Sequence, residues 1–455
     1  MDNNCGIYNT GASGAGILPR TGGEGSCGYG ASIKSAVAAL LLLCAAASAY
    51  SPLGLQYPLG TPDLAVTGAA AGIGGSGTAV IEEYFGTVLN PANAAIGKRS
   101  VFSALVSLDM VNIDDNGKNS SVSGYAPKLL SLIIPIGVAG NLGFSMQRRY
   151  DANLNFYTAD TLELDNDKYN FKTASIELTR RGGLTAWQAG WAYRFVNGLS
   201  LGLLYERLYY NLESRDVFES TFRYNLESGP TTYRSNVVET ITRNFASDGI
   251  RFGMQVPVHE KVTLGAAAEY ILPGSENGRT AREYIRSDSE EPLKWSEGKY
   301  SVNLPSSFNM GAAYRPDERW LFAADAHTTF WEMYENDLDA DAKEVQHVYG
   351  VSGGVRFIPA VNKLTADYWQ TINYSAGLRY STMPYVKNLN NETEEGAYEI
   401  GFTLGAGLPI PSDGGMVDII VDIGRRTDSR YNGYSENTVK IQLGINGGRN
   451  WFQRE

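Results

Sequence analysis

Residues 439–446 read Val-Lys-Ile-Gln-Leu-Gly-Ile-Asn, and this pattern restricts the fold more than any other feature of the chain. In an extended backbone successive side chains point to opposite faces. Val439, Ile441, Leu443 and Ile445 therefore share one face, and Lys440, Gln442, Gly444 and Asn446 the other. The pattern recurs upstream. Val417, Ile419, Val421 and Ile423 oppose Asp418 and Asp422, and Tyr398, Ile400, Phe402 and Leu404 oppose Glu399, Gly401, Thr403 and Gly405. Val262, Leu264, Ala266 and Tyr270 oppose Thr263, Gly265 and Glu269. After residue 50 no apolar run is long enough to cross a bilayer as a helix, which needs about 18–20 residues. Alternating segments of about ten residues are the mark of a transmembrane barrel, apolar outside and polar inside. Such a sheet must close, because lipid cannot satisfy an open strand edge.

The connections support this reading over a soluble sandwich, which would have short turns at both ends. Short turns are predicted near 137–141, 196–199, 258–261, 316–319 and 410–415, with a longer one near 359–370. Long polar loops are predicted at 112–122, 159–169, 215–245, 273–302, 332–346, 387–396 and 426–437. Short periplasmic turns and long outer loops, joining about fourteen strands with both ends periplasmic, are the expected arrangement. Trp187, Trp191, Tyr205, Trp320, Trp331 and Tyr385 fall near strand ends, where amphipathic rings suit the membrane interface. The formal net charge of −11 and the lack of a basic stripe argue against nucleic acid as a partner.

Upstream of the strands, residues 64–97 are rich in Gly, Ala, Val and Ile around Asn90-Pro91-Ala92. Glycines break this segment too often for a spanning helix, yet it is too apolar for a solvated linker. A compact plug inside the barrel fits both properties. Gly72, Gly74 and Gly77 satisfy G-x-G-x-x-G formally, but no strand precedes them and no acidic residue stands about twenty positions on, so a dinucleotide site is not expected. Pro91 biases Asn90 away from the helical region, which predicts a sharp bend. With few large side chains, the plug is expected to pack weakly against the wall.

At the N-terminus, Lys34, the apolar run 36–47 and Ala47-Ser48-Ala49 form a secretory signal peptide, with cleavage expected after Ala49. Leu43 before Cys44 is too large for a lipoprotein site. Cys5, Cys27 and Cys44 all precede the cleavage point, so the mature chain is expected to hold no thiol. The expected organisation is leader 1–49, hatch 50–97 and barrel 98–455. Catalysis is not expected, because His259, His327 and His347 lack triad or zinc spacing. Asp337, Asp339 and Asp341 open a D-x-D-x-D run, but Ala342 and Val348 replace the Gly and closing acid of a calcium loop. No metal and no cofactor are expected.

In order and spacing, the small-residue run with Asn90-Pro91-Ala92 and the stretches 183–206, 249–274, 304–331, 375–385 and 401–409 resemble the FadL/TodX family of outer-membrane transporters for hydrophobic compounds. That resemblance implies an all-β transmembrane antiparallel barrel with an N-terminal hatch, in the outer membrane of a Gram-negative-type bacterium. It implies a passive channel for a hydrophobic small molecule, of long-chain fatty acid or aromatic hydrocarbon type, rather than an enzyme. The alternatives are a binding or shuttle protein for secreted proteins, and a surface structural protein or adhesin. The implied partners are the ligand, outer-membrane lipid and lipopolysaccharide, and the barrel-assembly machinery, with the protein a monomer. In that family the two long loops form a capture groove, which here would use Val217, Phe218, Phe222, Tyr224 and Leu226 with Tyr284, Ile285, Leu293 and Trp295. The family's third strand is kinked beside the hatch. The matching alternation here fails at Arg148-Arg149, beside Gln147. Either these residues mark the lateral gap or both arginines snorkel to a membrane girdle.

Overall fold

The computed structural model describes residues 59–449 except 116–117, 161–168, 227–228, 287–289, 337–344, 361–364, 385–395, 411–414 and 429–433. The predicted signal peptide and the D-x-D-x-D run lie outside the described residues. The described residues belong to a single unit, Ala46–Glu455.

Fourteen antiparallel strands close into a barrel. They are β1 (Ser100–Asp115), β2 (Lys118–Pro135), β3 (Asn141–Asp151 and Leu154–Asp160), β4 (Tyr169–Arg194), β5 (Ser200–Leu226), β6 (Gly229–His259) and β7 (Val262–Ile271 and Gly274–Arg286). The ring continues with β8 (Glu290–Asn303 and Ser307–Tyr314), β9 (Trp320–Thr329), β10 (Val348–Phe357), β11 (Asn373–Thr382), β12 (Ala397–Pro409), β13 (Met416–Asp428) and β14 (Tyr434–Arg449). Each strand pairs with its sequence neighbour, and β14 closes on β1 from Arg449↔Ser100 to Tyr434↔Asp115. The breaks in β7 and β8 contain Pro273 and Pro305, which cannot donate to a ladder. In the β3 break the Asn153 side chain replaces the missing rung, accepting from Gly182 N at 3.0 Å and donating to Gly182 O at 3.2 Å.

The alternation that defines the fold is directly visible. Ile441 and Leu443 are each 43% exposed, whereas Lys440 and Gln442 between them are 7% and 4% exposed. Glu399, Thr403, Asp418 and Asp422 are buried in the lumen, and Ile400, Leu404, Ile419 and Ile423 face outward. The sequence reading misplaced the long connections. Within the expected loops 215–245 and 273–302, the described residues 215–226, 229–245, 274–286 and 290–302 are strand: β5 and β6 pair out to Leu226↔Gly229, and β7 and β8 out to Ile285↔Glu290. Aromatic and β-branched residues among their charges suit a two-sided ribbon beyond the membrane, and a polar ribbon looks like a loop when polarity alone is read.

Residues 59–97 lie against the lumen faces of the strands. A short helix (Gly68–Ala71) and two 3₁₀ turns (Glu83–Phe85 and Pro91–Ile96) carry a buried cluster including Val66, Ile73, Val80, Phe85 and Val88, packed with Leu105, Leu129 and Leu321 of the wall. Asn90 is extended, with φ −148° and ψ 118°, and Pro91 begins the 3₁₀ turn. The wall leaves room by omitting side chains. A Cβ on Gly202 would lie 2.4 Å from the Pro91 carbonyl carbon, and one on Gly253 would clash with the Asn90 side chain.

Candidate functional site

The β2–β3 joint differs from the continuous β14–β1 joint. Its pairing runs from Pro135↔Asn141 to Leu129↔Gln147 and stops. Beyond that rung, among the described residues, Lys118–Lys128 of β2 pairs only with β1, and the rest of β3 pairs only with β4 on its wall side. Each lip carries a ladder irregularity at the point of parting. On β2 the register moves from Leu105↔Leu129 to Val106↔Pro127 and skips Lys128. On β3 it moves from Arg148↔Thr185 to Tyr150↔Leu184 and skips Arg149. Bulges end pairing and re-aim side chains. Here both re-aimed side chains are cations and both are inside. Lys128 is 3% exposed, and the Arg149 side chain is 11% exposed.

The N-terminal segment spans the opening. Thr61 and Pro62 pair antiparallel with Asp151 and Tyr150 of β3. Thr61 Oγ1 donates to the Asp151 carbonyl at 3.1 Å, and Asp63 N donates to the Arg149 carbonyl at 2.8 Å. The Asp63 carboxylate reaches the opposite lip, where Lys128 Nζ lies 2.6 Å from Asp63 Oδ2 and 2.9 Å from Asp109 Oδ2. One residue of the hatch thus binds both lips.

Behind this segment is a lumen cavity of about 250 Å³, lined by Pro62, Asp63 and Leu64 on the seam side and by Gln147, Arg149 and Tyr150 of β3. Its far side includes Arg251, Asn309, Asp325, His327 and Arg379. An apolar cluster adjoins it, in which Leu59 packs with Leu184, Leu208, Ile271, Leu304 and Trp331. The three guanidiniums are occupied. Arg149 pairs with Glu206 Oε2 at 2.5 Å and with Glu269, and Arg251 lies 3.0 Å from each of Glu206 Oε1 and Glu269 Oε2. Arg379 lies 2.8 Å from both Glu399 Oε1 and Asp422 Oδ1.

Polar contacts join the N-terminal segment to the wall. Gly77 N and Thr78 N donate to Asp325 Oδ2 at 2.8 and 2.9 Å. Asn90 Nδ2 donates to Thr78 O at 2.7 Å and to Met254 O at 3.0 Å, while Asn90 Oδ1 accepts from Ala92 N at 3.0 Å. Glu82 pairs with Arg315 and Arg356. Burial alone would raise the pKa of Glu82, but Arg356 and Arg315 overcome it and hold the group at about 2. Small side chains bring the backbone of this segment close enough to bond with the wall directly.

The predicted gap residues are at the seam. Gln147 forms its last rung, and Arg149 turns inward to Glu206 and Glu269. Arg148 bonds Asp151 Oδ1 at 2.7 Å and the Gly182 carbonyl at 3.0 Å, so neither arginine snorkels to a girdle. Of the groove candidates, Val217 is buried and Phe218 is exposed, both on β5. Phe222, Tyr224 and Leu226 are on β5, Tyr284 and Ile285 on β7, and Leu293 and Trp295 on β8; their side chains lie outside the described residues. Phe218 and Tyr284 both pair with Val237 of β6, which places the two halves on one projecting sheet. Sequence reading missed Asp63, Lys128 and the cavity pair Tyr150 and His327. The only local signal was Pro127-Lys128, a proline beside a charge inside an apolar strand. Among the described residues no group of three or more His, Cys, Asp or Glu could hold a metal.

Solved barrels share this architecture. The P. putida toluene transporter TodX superposes with a TM-score of 0.54 at 14% identity, covering 86% of this chain and 100% of its own. A Pseudomonas aeruginosa FadL homologue gives 0.55 at 12% identity, covering 86% and 98%. The Ralstonia pickettii toluene transporter TbuX gives 0.52 at 13%, covering 84% and 98%. No curated protein sequence matches the chain. A family model described as BamG matches residues 33–455, nearly the whole sequence. This outer-membrane barrel, with the fold of the FadL/TodX transporters, therefore belongs to the BamG family.

Proposed function

We propose that this barrel admits a hydrophobic small molecule to the lumen cavity and passes it laterally through the β2–β3 seam. The observation that carries this reading is the unpaired seam beside the cavity, bridged by Thr61, Pro62 and Asp63, with Pro62, Asp63 and Leu64 lining the cavity on that side. An apolar solute that leaves sideways enters lipid and avoids the ion pairs of the lumen. The projecting β5–β8 sheet, with its capture-groove candidates, would deliver the solute from outside. The toluene transporters TodX and TbuX share the fold, which supports a channel for hydrophobic compounds. No step of the route calls for a catalytic residue or a cofactor.

A second reading is a closed barrel that serves as a binding or shuttle partner for secreted proteins. The contacts of Glu82, Asn90 and Asp325, which hold the hatch in place, favour it. One experiment separates the two. Thr61 and Asp151 are directly opposed in an antiparallel pair, where Cα atoms lie about 4.5–5.5 Å apart, within disulfide range. Oxidised Thr61→Cys/Asp151→Cys protein should stop cellular uptake of radiolabelled toluene and dodecanol, and reduction should restore it. Uptake through the oxidised pair would exclude the seam as the route.

A further inference from the structure

The polar lining of the cavity specifies more than hydrophobicity. We infer that the lumen site takes an uncharged amphiphile, an apolar body with a neutral hydrogen-bonding head such as a long-chain alcohol, and discriminates against the corresponding carboxylate. This deepens the channel reading and rests on it.

The argument begins with the cations. A carboxylate entering a low-dielectric site needs an available guanidinium, ammonium or group of N–H donors, since an unpaired buried charge is costly. Arg149, Arg251 and Arg379 line the cavity, but carboxylates already engage each of them. Their partners Glu206, Glu269, Glu399 and Asp422 hold these arginines in place, with Arg426 also on Glu399, and Asp325 in the lining adds a further carboxylate. At the seam Lys128 is likewise engaged, by Asp63 and Asp109. An anionic head would have to displace one of these partners and sit among the rest.

The groups that remain available are neutral. The Tyr150 hydroxyl and the His327 imidazole have no hydrogen-bond partner among the described residues, and both line the cavity. Tyr150 is held edge-on to Trp331, with ring centroids 5.7 Å apart and planes at 89°, so its ring belongs to the apolar side while its hydroxyl is available. His327 has space because its strand neighbour is Gly350, where a Cβ would lie 2.1 Å from the ring. Asn309, opposite His327 in the β8–β9 ladder, adds a neutral amide to the lining. A hydroxyl both donates and accepts, and so matches a Tyr hydroxyl and a neutral imidazole. The adjoining Leu59, Leu184, Ile271 and Leu304 provide an apolar surface for the body. A plain hydrocarbon would fit the body but leave the head groups without a match.

The test is a matched series on the intact barrel held in amphipol. Radiolabelled dodecanol, dodecane and dodecanoate would be compared by scintillation proximity at about pH 7.5, where the carboxylate is ionised. Dodecanol should bind most tightly and dodecanoate most weakly. Tyr150→Phe combined with His327→Leu should weaken dodecanol by about tenfold and bring it level with dodecane, as loss of two net hydrogen bonds predicts. His327→Gln, which keeps a neutral hydrogen-bonding group, should retain most of the dodecanol affinity. A heat-modifiable band on gels would confirm that each variant has formed a barrel. Tightest binding of dodecanoate would overturn the head-group inference while leaving the channel reading intact. Binding of none of the three would overturn the channel reading itself. Equal dodecanol affinity in the wild type and the double variant would remove Tyr150 and His327 from the site.

Discussion

The two joints that flank the first pair of strands, β14–β1 and β2–β3, close by different physics. At β14–β1 the ladder is unbroken from Ser100 to Asp115, and at its centre the outward Leu108, Ile441 and Leu443 are aliphatic. At β2–β3 the ladder ends at Leu129↔Gln147, and ion pairs and a hatch strand complete the closure. A backbone ladder in lipid is difficult to open, because every parted N–H and C=O loses its partner with no water to replace it. On the proposed route, a seam completed by Asp63, Thr61 and Pro62 would open by moving one short segment and leave the ring intact elsewhere.

Substitutions at the two joints should therefore fail differently. The largest effect is expected at the continuous joint, where Ile441→Arg and Leu443→Arg place charge on the lipid face at about 2–4 kcal/mol each. The combined variant should be depleted from the outer membrane and lose its heat-modifiable band. Lys440→Ala and Gln442→Ala, on the lumen face of the same strand, should assemble normally. Equal loss from both faces would contradict the register.

At the seam, Lys128→Met leaves Asp63 and Asp109 without their shared cation. Breaking a buried pair this way costs about 3–5 kcal/mol when nothing relaxes. Here the hatch segment can leave, so the loss should appear as local opening in an assembled barrel. Hydrogen exchange at the Asp63 amide, which donates to Arg149, should accelerate while amides of β14 stay protected. Exchange rising equally in β14 would mean that the seam is as integral to the ring as the other joint. Asn90→Ala should act more mildly, by about 1–2 kcal/mol from loss of a capping side chain, and should loosen the hatch without freeing the seam.

These contrasts show what the sequence made legible. Strand faces were readable because the pattern at residues 439–446 repeats with period two, and burial follows it residue by residue. The bend at Asn90-Pro91 was readable because proline restricts its predecessor locally. The end of the β2–β3 ladder was half readable, since Arg148-Arg149 breaks an alternation, whereas the opposing bulge at Lys128 left only the adjacent proline as a trace. Contacts between distant parts of the chain had no local signature. Glu82 meets Arg315 and Arg356 across more than two hundred residues, and Asp325 meets Gly77 and Thr78 across a similar span. The projecting ribbons were hidden for another reason: outside the membrane a strand has no lipid-facing side, so polarity there indicates neither loop nor strand.

The smallest effect, and the most selective, concerns the acid response of the hatch tie at Glu82. In the folded protein this carboxyl is held at about 2, below its ordinary value of 4.5, because Arg356 and Arg315 outweigh its burial. A depressed carboxyl stabilises the state that holds it above its ordinary value, and the contribution disappears as pH falls toward the folded value. The Glu82 tie should thus be fully present from about pH 5 to 8 and weaken only below that range. A nitroxide attached at Ala95→Cys, in the 3₁₀ turn of the hatch, reports the outcome as spectral mobility. In the wild-type background mobility should be flat across the neutral range and rise as acid protonates Glu82. Glu82→Gln should be mobile at neutral pH already and show little further acid rise. Mobility that changes between about pH 5 and 8, or an undiminished acid rise in the Gln variant, would assign the response to other groups and leave Glu82 as one bolt among several.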